Sequence, residues 1–205
     1  ADEMLSMGFK SEIDKILDQV PSDRKIYLFS ATLSTKVKKA TQTYMNNPLM
    51  ISTSSANKGA DTVKHLYYTA TKSKRYDIIK NILDLNKDIY TIVFCRTRRE
   101  TNEISTNLIK DNYNAKVLNG DLSQSERDKV MSSFRLKNIN ILVATDVASR
   151  GIDVNNLSHI INYNLPDDPE VYVHRSGRTG RAGNKGVSIA LVSKREHRRL
   201  KEIEK

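Results

Sequence analysis

Residues 89–100 read IYTIVFCRTRRE, and this stretch decides the fold class of the chain. Ile89 to Cys95 is a continuous apolar run of strand length, as is typical of a strand that is buried on both faces. Thr97 and Glu100 then have the spacing of a capping box, which predicts that a helix begins directly after the strand. A buried strand followed at once by a helix is the repeating unit of a parallel sheet.

The same alternation of strands and helices extends on both sides of this stretch. Short apolar runs predict strands at residues 63–70, 89–95, 115–118, 139–144, 158–163 and 187–192. Helical periodicity and helix-start signals predict helices at residues 73–86, after Thr97, after Ser123, from Pro169 and after Ser193. Because parallel strands are joined by right-handed helical crossovers, we expect residues 63–205 to form a doubly wound, three-layer α/β domain.

The first quarter of the chain differs from this pattern. It predicts a helix at residues 3–18 interrupted at Gly8, a helix at 34–44, and short strands at 25–29 and 49–52. These elements carry too little apolar surface for a core of their own. Residues 52–62 are mostly small and polar, which is typical of a linker. We therefore divide the chain into residues 1–51, a linker at 52–62 and a main domain at 63–205.

The composition is that of a basic globular protein. The 205 residues carry a formal net charge of +10 with a pI near 9.6, and 38% of them are hydrophobic. A positive surplus favours polyanions, although charge alone does not separate RNA, DNA and acidic protein surfaces. No apolar run of about 18 residues is present, so no membrane span is expected. Cys95 is the only cysteine, which excludes an intrachain disulfide and a cysteine zinc site and indicates a reducing cytoplasm.

Polar and basic residues follow three of the predicted strands, at residues 95–98, 119–121 and 145–146. The carboxyl ends of parallel strands meet at one edge of the sheet, where ligands bind in open α/β domains. Ser, Thr and Asp also occur at such positions simply to cap helices. Capping does not account for Arg96, Arg98 and Arg127, which instead indicate an anionic ligand.

A second basic stretch, HRSGRTGRAG, occupies residues 174–183. Arg175, Arg178 and Arg181 recur every third residue, so a helix would place them on roughly one face. Guanidinium groups held close together repel one another unless an anion lies between them, and their planar fork fits phosphate oxygens. The glycines let the backbone approach such a ligand closely. The alternative interpretation is a basic surface loop beside an acidic patch.

Residues 174–183 resemble motif VI of the DEAD-box RNA helicases of superfamily 2. Further stretches resemble other motifs of this family: the end of the Asp-Glu-Ala-Asp box at residues 1–2, motif III at 30–32, motif IV at 92–97, motif IVa at 120–127 and motif V at 144–153. The resemblance spans nearly the whole chain. Asn119 stands where histidine is common in the family, and Ile152 stands where leucine is common.

The resemblance implies that residues 63–205 are the C-terminal RecA-like domain of an ATP-dependent RNA helicase. It implies that residues 1–51 are the end of the N-terminal RecA-like domain. The P-loop of that first domain is absent from the 205 residues. We therefore expect ATP with Mg²⁺ to be bound mainly by the first domain, and we expect the isolated fragment to be inactive.

The resemblance also implies roles for the basic stretch. Arg178 and Arg181 match the arginine fingers that stabilise the charge on the γ-phosphate. His174 and Arg175 match residues that organise the interface with the first domain, near motif III. All four are thus expected to be catalytic residues, and the two fingers also to bind ATP.

Other catalytic and ATP-binding positions follow from the same resemblance. Three residues of the first domain are also expected to be catalytic: Asp2, Ser30 and Thr32. Gly151 and Asp153 belong to the ATP-binding set, with the carboxylate of Asp153 accepting a hydrogen bond from the ribose. A loop aspartate that merely caps the following residues is the alternative for Asp153.

The residues that the resemblance assigns to RNA are those of the predicted sheet edge: Arg96, Thr97, Gly120, Gln124, Arg127, Thr145 and Asp146. Arginine neutralises phosphate, while threonine hydroxyls and exposed backbone N–H groups suit phosphate oxygens. Such contacts address the backbone, so little sequence specificity is expected, and the 2′-hydroxyl would distinguish RNA from DNA. Basic residues at 194–201 either add non-specific affinity or form a solvated helix face.

Two other classes of function remain open at this stage. Without a P-loop, the chain is alternatively a stand-alone RNA- or protein-binding module that has no ATPase activity. A superfamily 2 DNA translocase is the second alternative. The main hypothesis predicts single-stranded or short duplex RNA and a first helicase domain in cis as partners, no membrane, no metal ligand in this chain and a cytoplasmic location.

Overall fold

The computed structural model describes residues 1–30, 32–52, 62–149, 154, 157–181 and 183–204. The chain forms two compact units, Ala1–Lys58 and Gly59–Lys205. The boundary between these units falls within the stretch predicted as a linker, of which residues 53–61 lie outside the described residues.

The first unit is helical in its described residues. It contains α1 (Asp2–Ser6), α2 (Lys10–Gln19) and α3 (Thr35–Tyr44). Gly8 has a φ angle of 87°, a conformation that favours glycine, and it separates α1 from α2 where the interruption was predicted. The side chains of Leu5, Val37 and Ala40 form a small buried cluster.

The prediction of two short strands in this unit is wrong. Residues 25–29 and 49–52 have no regular structure, and Phe29 and Leu49 are 83% and 86% exposed. A strand is stable only when its backbone pairs with a neighbour and one of its faces packs against a core. The described part of this unit provides neither for these apolar residues.

A six-stranded parallel sheet forms the centre of the second unit. Its strands are β1 (Val63–Thr69), β2 (Thr91–Phe94), β3 (Ala115–Leu118), β4 (Ile141–Ala144), β5 (His159–Asn162) and β6 (Gly186–Val192). They lie in the order β1-β6-β5-β2-β4-β3, and each neighbouring pair is parallel. The predicted fold class is confirmed, and each strand predicted between residues 63 and 192 is present.

Helices connect these strands and cover the sheet. They are α4 (Arg75–Leu85), α5 (Arg98–Lys110), α6 (Gln124–Arg135), α7 (Asp146–Ser149), α8 (Pro169–Ser176) and α9 (His197–Ile203), with single 3₁₀ turns at Lys72–Lys74 and Lys194–Glu196. The short helix α7 was not predicted. None of the described helices is long and apolar enough to cross a membrane.

Alternate residues of the central strand β2 belong to cores on opposite faces of the sheet. Val93 lies in one buried cluster with Ile79 of α4, and Ile92 lies in the other with Phe134 of α6. A strand covered by helices on both faces is apolar at nearly every position, which explains the run from Ile92 to Cys95. Burial raises the pKa of the Cys95 thiol well above its usual value, so this thiol is neutral.

Candidate functional site

The parallel arrangement brings the carboxyl ends of all six strands to one side of the sheet, which we call the carboxyl edge. Along it, the segments after β3, β4, β2, β5 and β6 follow one another in space. Neighbouring strands lie about 4.8 Å apart, so this row is roughly 20 Å long from β3 to β6. The residues predicted to contact RNA all lie in or beside the first three of these segments, after β3, β4 and β2.

Asn119 fixes the loop after β3. Its buried side-chain amide donates to Thr101 Oγ1 and Asn102 Oδ1, each at 2.9 Å, and its Oδ1 accepts the backbone N–H of Asp121 at 2.9 Å. Burying an amide costs little when its donors and its acceptor are satisfied in this way. Gly120 is thereby held in an exposed position at the carboxyl edge.

Helix α6 begins beside this loop with a complete capping box. The carboxylate of Glu126 accepts the N–H and the hydroxyl of Ser123 at 2.8 and 2.7 Å, and these hydrogen bonds lower the pKa of Glu126. Gln124 is exposed in the first turn of the helix. Arg127 is half-buried, and its Nη2 donates to the carbonyl of Ala148 at 3.0 Å. The guanidinium of Arg127 therefore lies against α7 at the carboxyl edge.

The loop after β2 carries Arg96 and Thr97, whose side chains are engaged within the unit. Thr97 caps α5 by accepting the backbone N–H of Glu100 at 3.2 Å. Nη2 of Arg96 donates to the carbonyl of Leu165 at 3.2 Å and to Oδ1 of Asp167 at 3.0 Å. The side chain of Arg96 remains 48% exposed, so part of its guanidinium faces solvent at the carboxyl edge.

A buried ion pair joins α8 to the segment after β4. Arg175 is only 4% exposed, and its Nε and Nη2 donate to the two carboxylate oxygens of Asp146 at 2.6 and 2.7 Å. Its Nη1 donates to Asn162 Oδ1 and to the carbonyl of Asn164, each at 2.9 Å. The guanidinium also lies 4.9 Å from the centroid of the Phe94 ring. Bidentate, charge-assisted bonds of this kind are strong and directional, so they fix the position of Asp146.

The side chain of Arg175 lies inside the second unit, between α8 and the ends of β4 and β5. Its expected role at the interface with the first domain stays a prediction. Helical spacing also predicted that Arg178 and Arg181 share its face, but α8 ends at Ser176. The chain turns through residues 177–180 because glycines at both ends of this turn disfavour continuation of the helix.

The turn after α8 is anchored to the rest of the unit. Thr179 is buried, and its hydroxyl donates to the carbonyl of Leu157. The hydroxyl of Thr62 donates to the carbonyl of Gly180 at 2.6 Å, which holds the turn against the start of β1. The turn is thus part of the folded unit rather than a loose surface loop.

The remaining predicted residues of this stretch lie around the turn. His174 is half-buried in the last turn of α8, and Arg178 is half-buried in the turn itself. Arg181 is exposed, and its Nε donates to the carbonyl of Gly177 at 2.7 Å. One predicted finger residue, Arg178, therefore lies in the anchored turn, and the other, Arg181, directly follows it.

Replacing Gly180 by alanine is expected to destabilise the second unit. Gly180 has a φ angle of 69°, and a Cβ placed there would lie 2.5 Å from Val63 Cγ2 and 2.8 Å from Thr62 Oγ1. The left-handed backbone and the overpacking together should lower the free energy of unfolding by about 2–4 kcal/mol, as measured by urea denaturation. Gly183→Ala is the matched control, because Gly183 has a φ angle of 79° but nothing within 4 Å of the added Cβ. Equal losses in the two variants would contradict a tight contact between this turn and β1.

In the first unit, the predicted catalytic residues form one hydrogen-bonded group. The backbone N–H and the hydroxyl of Thr32 donate to Asp2 Oδ2 at 3.2 and 3.0 Å. The hydroxyl of Ser30 donates to the carbonyl of Thr32 at 2.8 Å. These bonds hold the end of the acidic box and the Ser-Ala-Thr stretch together, although they lie 30 residues apart in the sequence.

Comparison with known proteins shows which family carries these features. The model of the helicase conserved C-terminal domain matches residues 74–183, which is more than half of the chain, and the DEAD/DEAH box helicase model matches residues 1–40. The solved C-terminal domain of the DEAD-box protein Dbp5 is 34% identical, with a TM-score of 0.66, over 70% of this chain and 84% of that domain. The chain belongs to the DEAD-box helicase family. The resemblance inferred from the sequence motifs is thereby confirmed.

A curated relative and a longer structure of Dbp5 each resemble nearly all of the chain. The ATP-dependent RNA helicase CshA of Limosilactobacillus reuteri is 43% identical over 205 residues, which are 100% of this chain and 41% of that protein. The structure of Saccharomyces cerevisiae Dbp5 bound to RNA and ADP BeF3 is 31% identical, with a TM-score of 0.85, over 96% of this chain and 52% of that chain. The chain thus spans about two fifths of the curated relative and about half of Dbp5.

Some positions of the DEAD-box motifs lie outside the described residues. Gly151 and Asp153, which were predicted to bind ATP, are among them. Ala31 of motif III and Ala182 of motif VI are also outside. The ATP-binding assignment of Gly151 and Asp153 therefore stays a prediction.

Three residues at the carboxyl edge of this DEAD-box domain were missed from the sequence. Asn162 and Asn164 accept hydrogen bonds from Arg175, and Asp167 pairs with Arg96. One signal was available, because Asn162 lies in a strand predicted to be buried, and a buried polar residue indicates a specific partner. No such signal marks Asp167, which is exposed.

Proposed function

We propose that this chain is the second-domain half of an ATP-dependent RNA helicase and couples RNA binding to ATP hydrolysis. The observation that carries the proposal is the buried pair between Arg175 and Asp146. It joins the segment of Thr145 and Asp146, on the RNA side, to α8, on the ATP side. Helix α8 ends at the turn of residues 177–180, which we call the arginine turn. A displacement of either segment is therefore transmitted to the other.

The named relatives support this proposal. CshA of Limosilactobacillus reuteri is an ATP-dependent RNA helicase by name, and it matches the whole of this chain. The Dbp5 structure, which matches nearly all of it, holds RNA together with ADP BeF3. A protein of the same fold thus holds RNA and an adenine nucleotide at the same time, which supports the proposal.

On the ATP side, Arg178 and Arg181 approach the γ-phosphate and stabilise the negative charge that phosphoryl transfer redistributes. Their guanidinium groups are suited to this task because each presents a planar set of N–H donors to phosphate oxygens. The carboxylate of Asp153 accepts a hydrogen bond from the ribose, and Gly151 belongs to the same ATP-binding segment. As the family resemblance implies, we assign the binding of Mg²⁺ to the nucleotide and a complete first domain.

The first domain contributes the remaining catalytic groups. Asp2, Ser30 and Thr32 lie on its side of the proposed interface, and His174 lies on the side of the second domain. ATP and RNA together close the two domains against each other. Closure brings the arginine turn to the nucleotide and bends one RNA strand, which unpairs a short duplex locally.

On the RNA side, the phosphate backbone lies along the segments after β3, β4 and β2. The exposed backbone around Gly120 donates to phosphate oxygens, and Arg127 neutralises one phosphate. Thr145, which is only 9% exposed, lies in the middle segment of this track. The exposed part of Arg96 supplies a further positive charge, while Thr97 and Gln124 border the same track. None of these contacts reads a base, so binding is independent of sequence. We place this activity in the cytoplasm.

The decisive experiment is RNA-stimulated ATP hydrolysis by a two-domain protein in which the rest of a first domain precedes residues 1–51 of this chain. Single-stranded RNA is expected to stimulate hydrolysis, DNA of the same sequence is not, and the chain by itself is expected to be inactive. Equal stimulation by DNA would overturn the assignment to RNA. An inactive two-domain protein that still binds RNA would favour the binding-module alternative.

A further inference from the structure

The carboxyl edge does not end at the proposed RNA track. Beyond β2 it continues over the segments after β5 and β6 and onto α9. This part of the edge carries four exposed basic residues, which we call the C-terminal basic surface: Lys194, Arg195, Arg198 and Lys201. The distance from β2 to β6 is two strand spacings, or about 10 Å, so this surface lies close to the proposed track.

A shared carboxylate places α9 directly beside the RNA track. Oδ1 of Asp167 accepts a hydrogen bond from Nη2 of Arg96 at 3.0 Å and forms an ion pair with Nη1 of Arg199 at 2.7 Å. Arg96 belongs to the segment after β2, and Arg199 belongs to the first turn of α9. The two guanidinium groups therefore meet at one oxygen atom, which places α9 next to the loop after β2.

The acidic residue at the start of this helical segment is turned inward. The carboxylate of Glu196 accepts from Nη2 of the buried Arg75 at 2.7 Å, and from the N–H and hydroxyl of Ser193 at 2.8 and 2.7 Å. Arg75 also donates to the carbonyl of Tyr163 at 2.8 Å, which anchors the segment to the end of β5. The negative charge of Glu196 is thus paired inside the unit. The exposed side of the 3₁₀ turn carries the basic residues Lys194 and Arg195.

Arg198 and Lys201 lie in the first and last turns of α9. Arg198 forms an (i, i+4) ion pair with Glu202 at 3.8 Å, yet its side chain remains 93% exposed and accessible to a ligand.

We propose that the C-terminal basic surface binds the phosphates of RNA that flanks the segment held in the helicase site. This inference rests on the proposed function, because it extends the same RNA track along the same edge. The ligand is the sugar–phosphate backbone, since mobile lysine and arginine side chains on an open surface neutralise charge without reading bases. Longer RNA therefore gains contacts that a short RNA cannot make.

The test compares RNA of two lengths and two matched charge variants of this chain. Arg195→Gln/Arg198→Gln/Lys201→Gln removes three charges from the proposed surface. Lys87→Gln/Lys110→Gln/Lys116→Gln removes three exposed charges near the opposite edge of the sheet. Binding of fluorescent single-stranded RNA of about 6 and about 20 nucleotides is measured at several salt concentrations.

The expected result is specific to position and to length. Each phosphate contact to a single strand contributes about 0.7 to the slope of log affinity against log salt. The variant of the basic surface should therefore flatten this slope by about 2 for the longer RNA and leave it unchanged for the shorter one. The variant of the opposite edge should leave both slopes unchanged.

Other outcomes overturn the inference. Equal flattening in both variants would show that net charge alone is responsible. An unchanged slope for the longer RNA would exclude RNA from this surface and leave it to an acidic protein partner. If the unsubstituted chain bound neither RNA, the proposed function would itself fail, whereas binding of both RNAs with no effect of the variants would remove only this inference.

Discussion

Replacing Arg178 by alanine in the two-domain protein is expected to lower RNA-stimulated ATP hydrolysis by about 10³-fold or more. The physical reason is that little covalent chemistry is left to the protein in phosphoryl transfer, so the charge supplied to the γ-phosphate dominates the rate. Arg178 lies in a turn that Thr179 and Gly180 anchor to the unit, which makes its position reproducible. Steady-state hydrolysis at saturating ATP and RNA measures the effect.

Two further variants make this prediction specific. Arg178→Lys keeps the charge but not the planar fork, so it should recover only part of the rate. Arg135→Ala removes an exposed arginine from the last turn of α6 and should leave the rate unchanged. RNA affinity should be the same in all of these proteins. Full activity of Arg178→Ala would show that the finger assignment is wrong.

Replacing Arg175 by methionine is expected to lower the free energy of unfolding by about 3–5 kcal/mol. The substitution keeps a long side chain but leaves Asp146 without its cation and leaves Asn162 and Asn164 without a donor. Breaking a buried, fully hydrogen-bonded pair from one side is costly because the remaining charge has lost its compensation. Urea denaturation followed by circular dichroism measures the change.

The same edge of the sheet provides the control for Arg175. Arg96→Met breaks the pair between Arg96 and Asp167, whose side chains are 48% and 70% exposed, and should cost less than about 1 kcal/mol. The double variant Arg175→Met/Asp146→Asn should cost no more than Arg175→Met alone, because the two residues act as one unit. Similar losses for Arg175→Met and Arg96→Met would contradict the buried, bidentate role of Arg175.

The fold could be predicted from the sequence wherever local signals agreed with the final packing. The unbroken apolar run at residues 89–95 fixed a buried strand, and Ser123 with Glu126 fixed the start of α6. Where local signals lacked a partner, prediction failed. The apolar residues at 25–29 have the composition of a strand, but their described surroundings offer no strand to pair with.

The sequence predicted which residues belong to the candidate site better than it predicted where their side chains lie in the fold. Asp146 was assigned to RNA, and Arg175 to the interface with the first domain, because both stand in family motifs. Only the fold brings them to 2.6 Å from each other, 29 residues apart in the sequence. Spacing of three residues suggested one helical face for the arginines, but spacing does not show where a helix ends.

The sequence by itself determined the alternation of strands and helices, the family, and the stretches that carry basic chemistry. These depend on periodicity, capping and motif order, which act over a few residues. Only the tertiary structure decided which charged side chains are paired inside the unit and which are exposed to a ligand. Arg175 is buried against Asp146, while Arg198 is 93% exposed, and nothing local distinguishes them. The physical reason is that the environment of a charge is set by residues distant in sequence, which only the order of the strands brings together.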